Sequence, residues 1–163
     1  MGKIRRRLGN GLRIGLRIVE GGIVCAVLLL SLPVLWGVKP YMVMSGSMEP
    51  TLPIGALVYV EKTEVIEEGE IIAFDVGNGQ ICVHRCVEIK EDGTFVTKGD
   101  ANTVEDVTSI TRSQIIGKSV YVLPFAGFLV QFLQMPLGIL FIGVCLLGNL
   151  VLRMMIGTEM NSN

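Results

Sequence analysis

Residues 81–89 read Ile-Cys-Val-His-Arg-Cys-Val-Glu-Ile, and the way this stretch is read decides the fold. On an extended strand, successive side chains point to opposite faces. Ile81, Val83, Val87 and Ile89 then share an apolar face broken by Arg85, while Cys82, His84, Cys86 and Glu88 share the other. Just before the stretch stands Asn78-Gly79, and just after it Asp92-Gly93. Both dipeptides favour tight hairpin turns, because Asn, Asp and Gly tolerate a left-handed backbone. Beyond those turns, residues 70–76 and 94–98 are again rich in β-branched and aromatic side chains, and 56–60 and 115–123 have the same texture. Such runs predict strands. Residues 99–112 carry no clear period and read as a long loop. The segment 41–124 is therefore expected to be a small, mostly antiparallel β domain, and the fold class mainly β.

On either side of that domain the chain is apolar. Of its 163 residues, 50% are hydrophobic and 18% charged, and the mean hydropathy is +0.59. That value is too high for an ordinary soluble domain, although the length suits a single one. A net charge of -1 conceals an asymmetry: Lys3, Arg5, Arg6, Arg7, Arg13 and Arg17 crowd the start, and the acids lie mostly between Glu49 and Asp106. The basic head, 1–17, would suit a nucleic-acid arm, but it runs directly into 18–38, where Glu20 is the only charge. A bilayer-spanning helix needs about 20 largely apolar residues, so 18–40 is read as a transmembrane anchor and no nucleic-acid partner is expected. A cleavable signal peptide is disfavoured, since the apolar run exceeds the ~7–15 residues usual for one. Bulky Trp36, Val38 and Lys39 also stand where a small-x-small cut would lie.

The basic cluster sets orientation, because Lys and Arg stay on the cytoplasmic side. The β domain then lies outside, beyond a cell membrane or in a lumen. Towards the other end, 137–152 is interrupted only by Asn149. With Gln131, Gln134 and Pro136 included, 125–153 is expected to form a second transmembrane helix, leaving a polar tail at 154–163. Cys25 and Cys145 fall within apolar runs, and the four cysteines suggest no disulfide framework.

His84 is the one histidine in the chain, flanked on its strand face by Cys82 and Cys86. Metal binding does not fit, since residues two apart on a strand sit roughly 6.6–7 Å apart and zinc ligands converge at about 2.0–2.3 Å. No metal or cofactor is expected. Nucleophilic chemistry fits better. Ser47 follows the anchor closely, and the presumed loop carries Asp100 and Asp106. A serine hydroxyl needs a base, histidine is the natural one, and a carboxylate on its other nitrogen fixes tautomer and orientation. Spacing alone does not choose between the two aspartates. Lys98 could in principle act as the base in a Ser/Lys pair, though a solvated lysine before a turn is the simpler reading. Arg85 is positioned to pair with an acid of the loop. Met42, Met44 and Met48 suit either a substrate groove, lipid contact or ordinary packing.

Four stretches taken together are specific. Ser-Gly-Ser-Met-Glu-Pro-Thr at 45–51, Gly-Glu-Ile-Ile-Ala-Phe at 69–74, Val-His-Arg at 83–85 and Thr-Lys-Gly-Asp-Ala-Asn at 97–102 with a following acid resemble the successive motifs of type I signal peptidases, family S26. Histidine in place of lysine after the third motif resembles the endoplasmic-reticulum-type branch. The resemblance covers about 41–122 together with the anchor. It implies that Ser47 is the nucleophile, His84 the general base and Asp106 the acid of the triad. It further implies that Asp100 is a second, supporting acid, and that Ser45 with the Ser47 backbone N–H stabilises the oxyanion. The implied function is a membrane-bound serine endopeptidase of the signal peptidase I class. It would act at the bilayer on signal-peptide-bearing precursors, cleaving after small residues, with accessory subunits unspecified. Two other readings are a related protease dedicated to one membrane substrate and a non-catalytic membrane protein whose β domain binds a partner.

Overall fold

The computed structural model describes residues 2–160, so 161–163 of the expected polar tail lie outside the described residues. The chain divides into two compact units, one made of 33–131 and one of the two chain ends.

Residues 33–131 are built on a six-stranded sheet in the order β1-β2-β6-β3-β4-β5. The strands are β1 Lys39–Met42, β2 Leu57–Glu61, β3 Ile71–Gly77, β4 Gln80–Ile89, β5 Phe95–Lys98 and β6 Ile115–Leu123. Every pairing is antiparallel. The strands expected from alternation are present. β1 was not expected: Lys39 and Pro40 were assigned to the end of the anchor, whereas they pair with Val60 and Tyr59 of β2. Four residues containing a proline carry too weak a local signal, and an edge strand is where proline is tolerated.

β3 and β4 are joined by Asn78-Gly79, with φ of 55° and 74°. This is the left-handed pair that a two-residue hairpin turn requires. The sheet alternation sorts the core into two clusters. Ile72 and Phe74 of β3 pack with Ile66, Cys86, Phe95 and Ile110. Ala73, between them, faces the other way and joins Met48, Leu52, Val58 and Val60. Burying each large apolar side chain contributes about 1.5–3 kcal/mol, so both faces stabilise the sheet. β6 returns late in the chain to lie between β2 and β3, and Lys118 on it reaches Glu70 at 2.6 Å.

Helix α1 (Gly2–Leu35), which lies in the second unit up to Leu32, contains the stretch Arg17–Leu35, of 19 residues and mean hydropathy 2.4. By length and composition it is the one helix among the described residues able to cross a membrane unaided. The second transmembrane helix expected at 125–153 is not confirmed. The chain there forms α2 (Ala126–Gln134) and α3 (Pro136–Met160), interrupted at Met135. Proline has no N–H to donate backwards and favours the first position of a helix, so Pro136 ends one helix and opens the next. Together the pair qualifies as a span only if counted as one broken segment. Within this unit, Asn149 Nδ2 of α3 donates to Glu20 Oε2 of α1.

Candidate active site

Ser47 sits in a single 3-10 turn, Gly46–Met48, immediately after β1. The turn is anchored from below by Met48, which is 1% exposed and packs in the core with Leu52, Val58 and Val60. Of the readings open to Met48, packing is therefore the one realised, whereas Met44 is exposed. The loop after β5 grips the same turn from the side. Ala101 N–H donates to the Ser47 carbonyl at 2.8 Å, and the Asp100 N–H donates to Met48 Sδ at 3.4 Å. Gly99 makes this approach possible, because a Cβ there would come within 2.5 Å of the Ser47 carbonyl oxygen.

β4 presents His84 on the face the alternation assigns it. The ring is 8% exposed, with Phe74 edge-on at a centroid distance of 6.4 Å. His84 Nε2 lies 3.0 Å from Ser47 Oγ, and Nδ1 lies 2.7 Å from Asp106 Oδ2. An ionised carboxylate only accepts. In the tautomer that suits such an acceptor, Nδ1 carries the proton and the Nε2 lone pair faces the serine hydroxyl. The three residues come from a turn, a strand and a loop, and they form one continuous hydrogen-bonded line.

Asp100 is held elsewhere. Arg85 donates to it twice, Nε to Oδ1 at 2.8 Å and Nη2 to Oδ2 at 2.6 Å. Arg85 Nη1 also donates to the Gly69 carbonyl at 2.7 Å. The guanidinium, and then a hydrogen bond from Thr51, hold the Asp100 carboxyl below the usual carboxylate range despite its burial. The same pairing raises Arg85. So the two aspartates that spacing could not separate are separated in space: Asp106 faces the histidine and Asp100 faces the arginine. Ser45 Oγ is 3.4 Å from Ser47 Oγ, at the exposed rim. Lys98 ends β5 opposite Arg85, and alternation turns it away from the side on which Thr97 meets Asp106.

A cleft of about 460 Å³ opens on the Asp106 side of the imidazole, lined among others by Phe74, Cys82, His84, Val104, Asp106 and Ile110. Burial, and after it the neighbouring Asp106, pushes the Cys82 thiol up to about 11. It therefore stays protonated at neutral pH and is a poor nucleophile or ligand.

Sequence reasoning missed two residues. Thr51 adds a hydrogen bond to Asp100, and Thr97, fully buried, donates its hydroxyl to Asp106 Oδ2 at 2.6 Å. The available signal for Thr97 was its place two residues from Phe95, on a strand face otherwise apolar.

The model of the family described as "Signal peptidase, peptidase S26" matches residues 17–93, a stretch that includes both Ser47 and His84. Over that stretch the chain is similar to the S26 signal peptidase family. Similar proteins carry the same family name. "Signal peptidase complex catalytic subunit SEC11" of Chaetomium globosum is 35% identical over 100 residues, covering 53% of this chain and 58% of the relative. The Sclerotinia sclerotiorum subunit is 36% identical over 100 residues with the same coverage, 53% and 58%. The human catalytic subunit SEC11C is 33% identical over 99 residues, 52% of each chain. The chain spans about half the length of the curated relatives it matches. The S26 match ends before the loop that carries Asp100 and Asp106, so for those two residues the hydrogen bonds carry the information.

Proposed function

We propose that this chain is a membrane-anchored serine endopeptidase that removes N-terminal signal peptides from exported precursors, cutting after small residues. The observation that carries the reading is the line Ser47 Oγ to His84 Nε2 at 3.0 Å and His84 Nδ1 to Asp106 Oδ2 at 2.7 Å. The S26 relatives, named as catalytic subunits of a signal peptidase complex, support the substrate class. In the proposed reaction Ser47 Oγ attacks the scissile carbonyl carbon while His84 Nε2 takes the hydroxyl proton. The carbonyl oxygen gains the negative charge, which the Ser45 hydroxyl and the Ser47 backbone N–H stabilise. Collapse breaks the C–N bond, and His84 returns its proton to the leaving amine. The acyl group remains on Ser47. Water, giving its proton to His84, then attacks the ester and restores the serine. Asp106 holds the imidazole in the tautomer both halves require. Asp100 and Arg85 support the loop without touching the reacting atoms.

The bilayer is the second proposed partner, through Arg17–Leu35. With the basic head in the cytoplasm, the catalytic unit works on the extracytoplasmic side of a cell membrane or of the endoplasmic reticulum. The test is cleavage of a signal-peptide-bearing precursor by the full chain in liposomes. Ser47→Ala and His84→Ala are expected to lose at least about 10³-fold in rate while remaining folded. Full activity in His84→Ala, or in Ser47→Ala, would sink the mechanism.

A further inference from the structure

We infer that Thr97 is a positioning residue, whose hydroxyl and carbonyl together set Asp106 against His84. The inference rests on the roles proposed above for Ser47, His84 and Asp106. Thr97 lies in β5, opposite Cys86 of β4, and is fully buried. By strand alternation it shares a face with Phe95, which packs among Ile66, Ile72, Phe74 and Ile110. A hydroxyl in such surroundings is costly unless it is hydrogen-bonded. Valine would fill nearly the same space without that cost. What the hydroxyl does here is donate to Asp106 Oδ2 at 2.6 Å, the same oxygen that receives His84 Nδ1–H at 2.7 Å. The Thr97 carbonyl also accepts the Asp106 N–H at 2.8 Å.

One residue of the sheet thus fixes both the backbone and the carboxylate of Asp106. Other bonds that fix the loop fall on Asp100, Ala101 and Ile110, and the remaining hydrogen bond of Asp106 is the one to His84. Val104 and Val107, on either side of Asp106, are exposed at 72% and 103%, so packing does not settle where the carboxylate points. Rotation of that carboxylate would free the imidazole from its orientation. The groups that share the cleft, Cys82 and Glu105, are not bonded to His84 and offer no substitute. Thr97 touches no reacting atom, so its effect should fall on turnover and not on substrate binding.

The experiment compares Thr97→Val, Thr97→Ser, Asp106→Asn and the double variant Thr97→Val/Asp106→Asn. All are made in the full chain, reconstituted in liposomes with a signal-peptide-bearing precursor, with thermal unfolding followed in parallel. Thr97→Val is expected to lower kcat about 10- to 100-fold with KM within about twofold, the range for a lost hydrogen bond to a charged group. Thr97→Ser, which keeps the hydroxyl, should recover to within about threefold of the parent. In the Asp106→Asn background, Thr97→Val should add less than about twofold, because both changes act through one contact. A packing role would give the opposite pattern, with Thr97→Ser losing as much as Thr97→Val or more, or full multiplication in the double variant. Either result overturns the inference, as does wild-type kcat in Thr97→Val. Should Thr97→Val not fold, Thr97→Ser is compared with Thr97→Ala, and equal activity of those two overturns it. Full activity in Asp106→Asn would instead overturn the triad reading itself, whatever Thr97 does.

Discussion

At the scale of single residues, the chain separates two aspartates only six positions apart into unlike jobs. Asp106 faces a histidine, and the proposed mechanism gives it the chemical part. Asp100 is clamped by both ends of the Arg85 fork and is held for structure. The pairing predicts a pH dependence whose sign is definite. The folded Asp100 carboxyl lies below its unfolded value. Its stabilising contribution is therefore complete above the ordinary carboxylate range and is lost as pH falls through the folded value. Arg85→Ala should cost about 1–3 kcal/mol in urea unfolding at neutral pH, and the difference from the parent should shrink as the solution is acidified. A cost unchanged down to strongly acidic pH would argue against the ion pair. Ser47, His84, Asp100, Asp106 and Arg85 were all identifiable from the sequence; the family resemblance implied Asp106 for His84, but residue spacing did not say which acid Arg85 would take. Hydrogen bonds across the gap between β5 and its loop depend on side-chain direction, which residue spacing does not encode.

Secondary-structure elements register their constraints at different distances. Asn78-Gly79 is a local constraint, readable from the dipeptide, and nothing lies within 4 Å of where a Gly79 side chain would begin. Gly79→Ala should cost only the left-handed backbone penalty, about 1–2 kcal/mol. Gly117 in β6 is a distant constraint. A Cβ there would collide with the backbone carbonyl of Glu61 in β2, and a main-chain atom cannot swing aside. Gly117→Ala should force the strands apart and cost more than Gly79→Ala, about 2–3 kcal/mol. Thermal midpoints of the two variants, measured side by side, decide whether the order holds. No signal around Gly117 in the sequence announces this. β1 was missed for a similar reason, since its strand character comes from β2. The interruption at Met135 has a local cause in Pro136.

Across the catalytic unit, Met48 links the site to the core. Its neighbour Ser47 is the proposed nucleophile, its sulfur accepts from the Asp100 N–H, and its side chain packs with Val58, Val60 and Ala73 of β2 and β3. Met48→Ala should therefore lose about 2–5 kcal/mol of stability, and precursor cleavage should fall as well, because the turn that carries Ser47 loses its footing. A variant that is less stable yet cleaves at the parent rate would show that the turn is held by its backbone bonds alone. What the sequence by itself determined is everything with a short period or a local cause. The alternating strands, the Asn-Gly turn, the apolar helix with its basic head, and the residue types able to do acyl transfer all belong here. They follow from the chemistry of neighbouring residues. Tertiary structure alone decided that Thr97 donates to Asp106, that Arg85 takes Asp100, that Lys39–Met42 is a strand, and that β6 lies between β2 and β3. Those outcomes arise from contacts between segments far apart in the chain, where packing and hydrogen-bond geometry choose among partners that local sequence leaves equivalent.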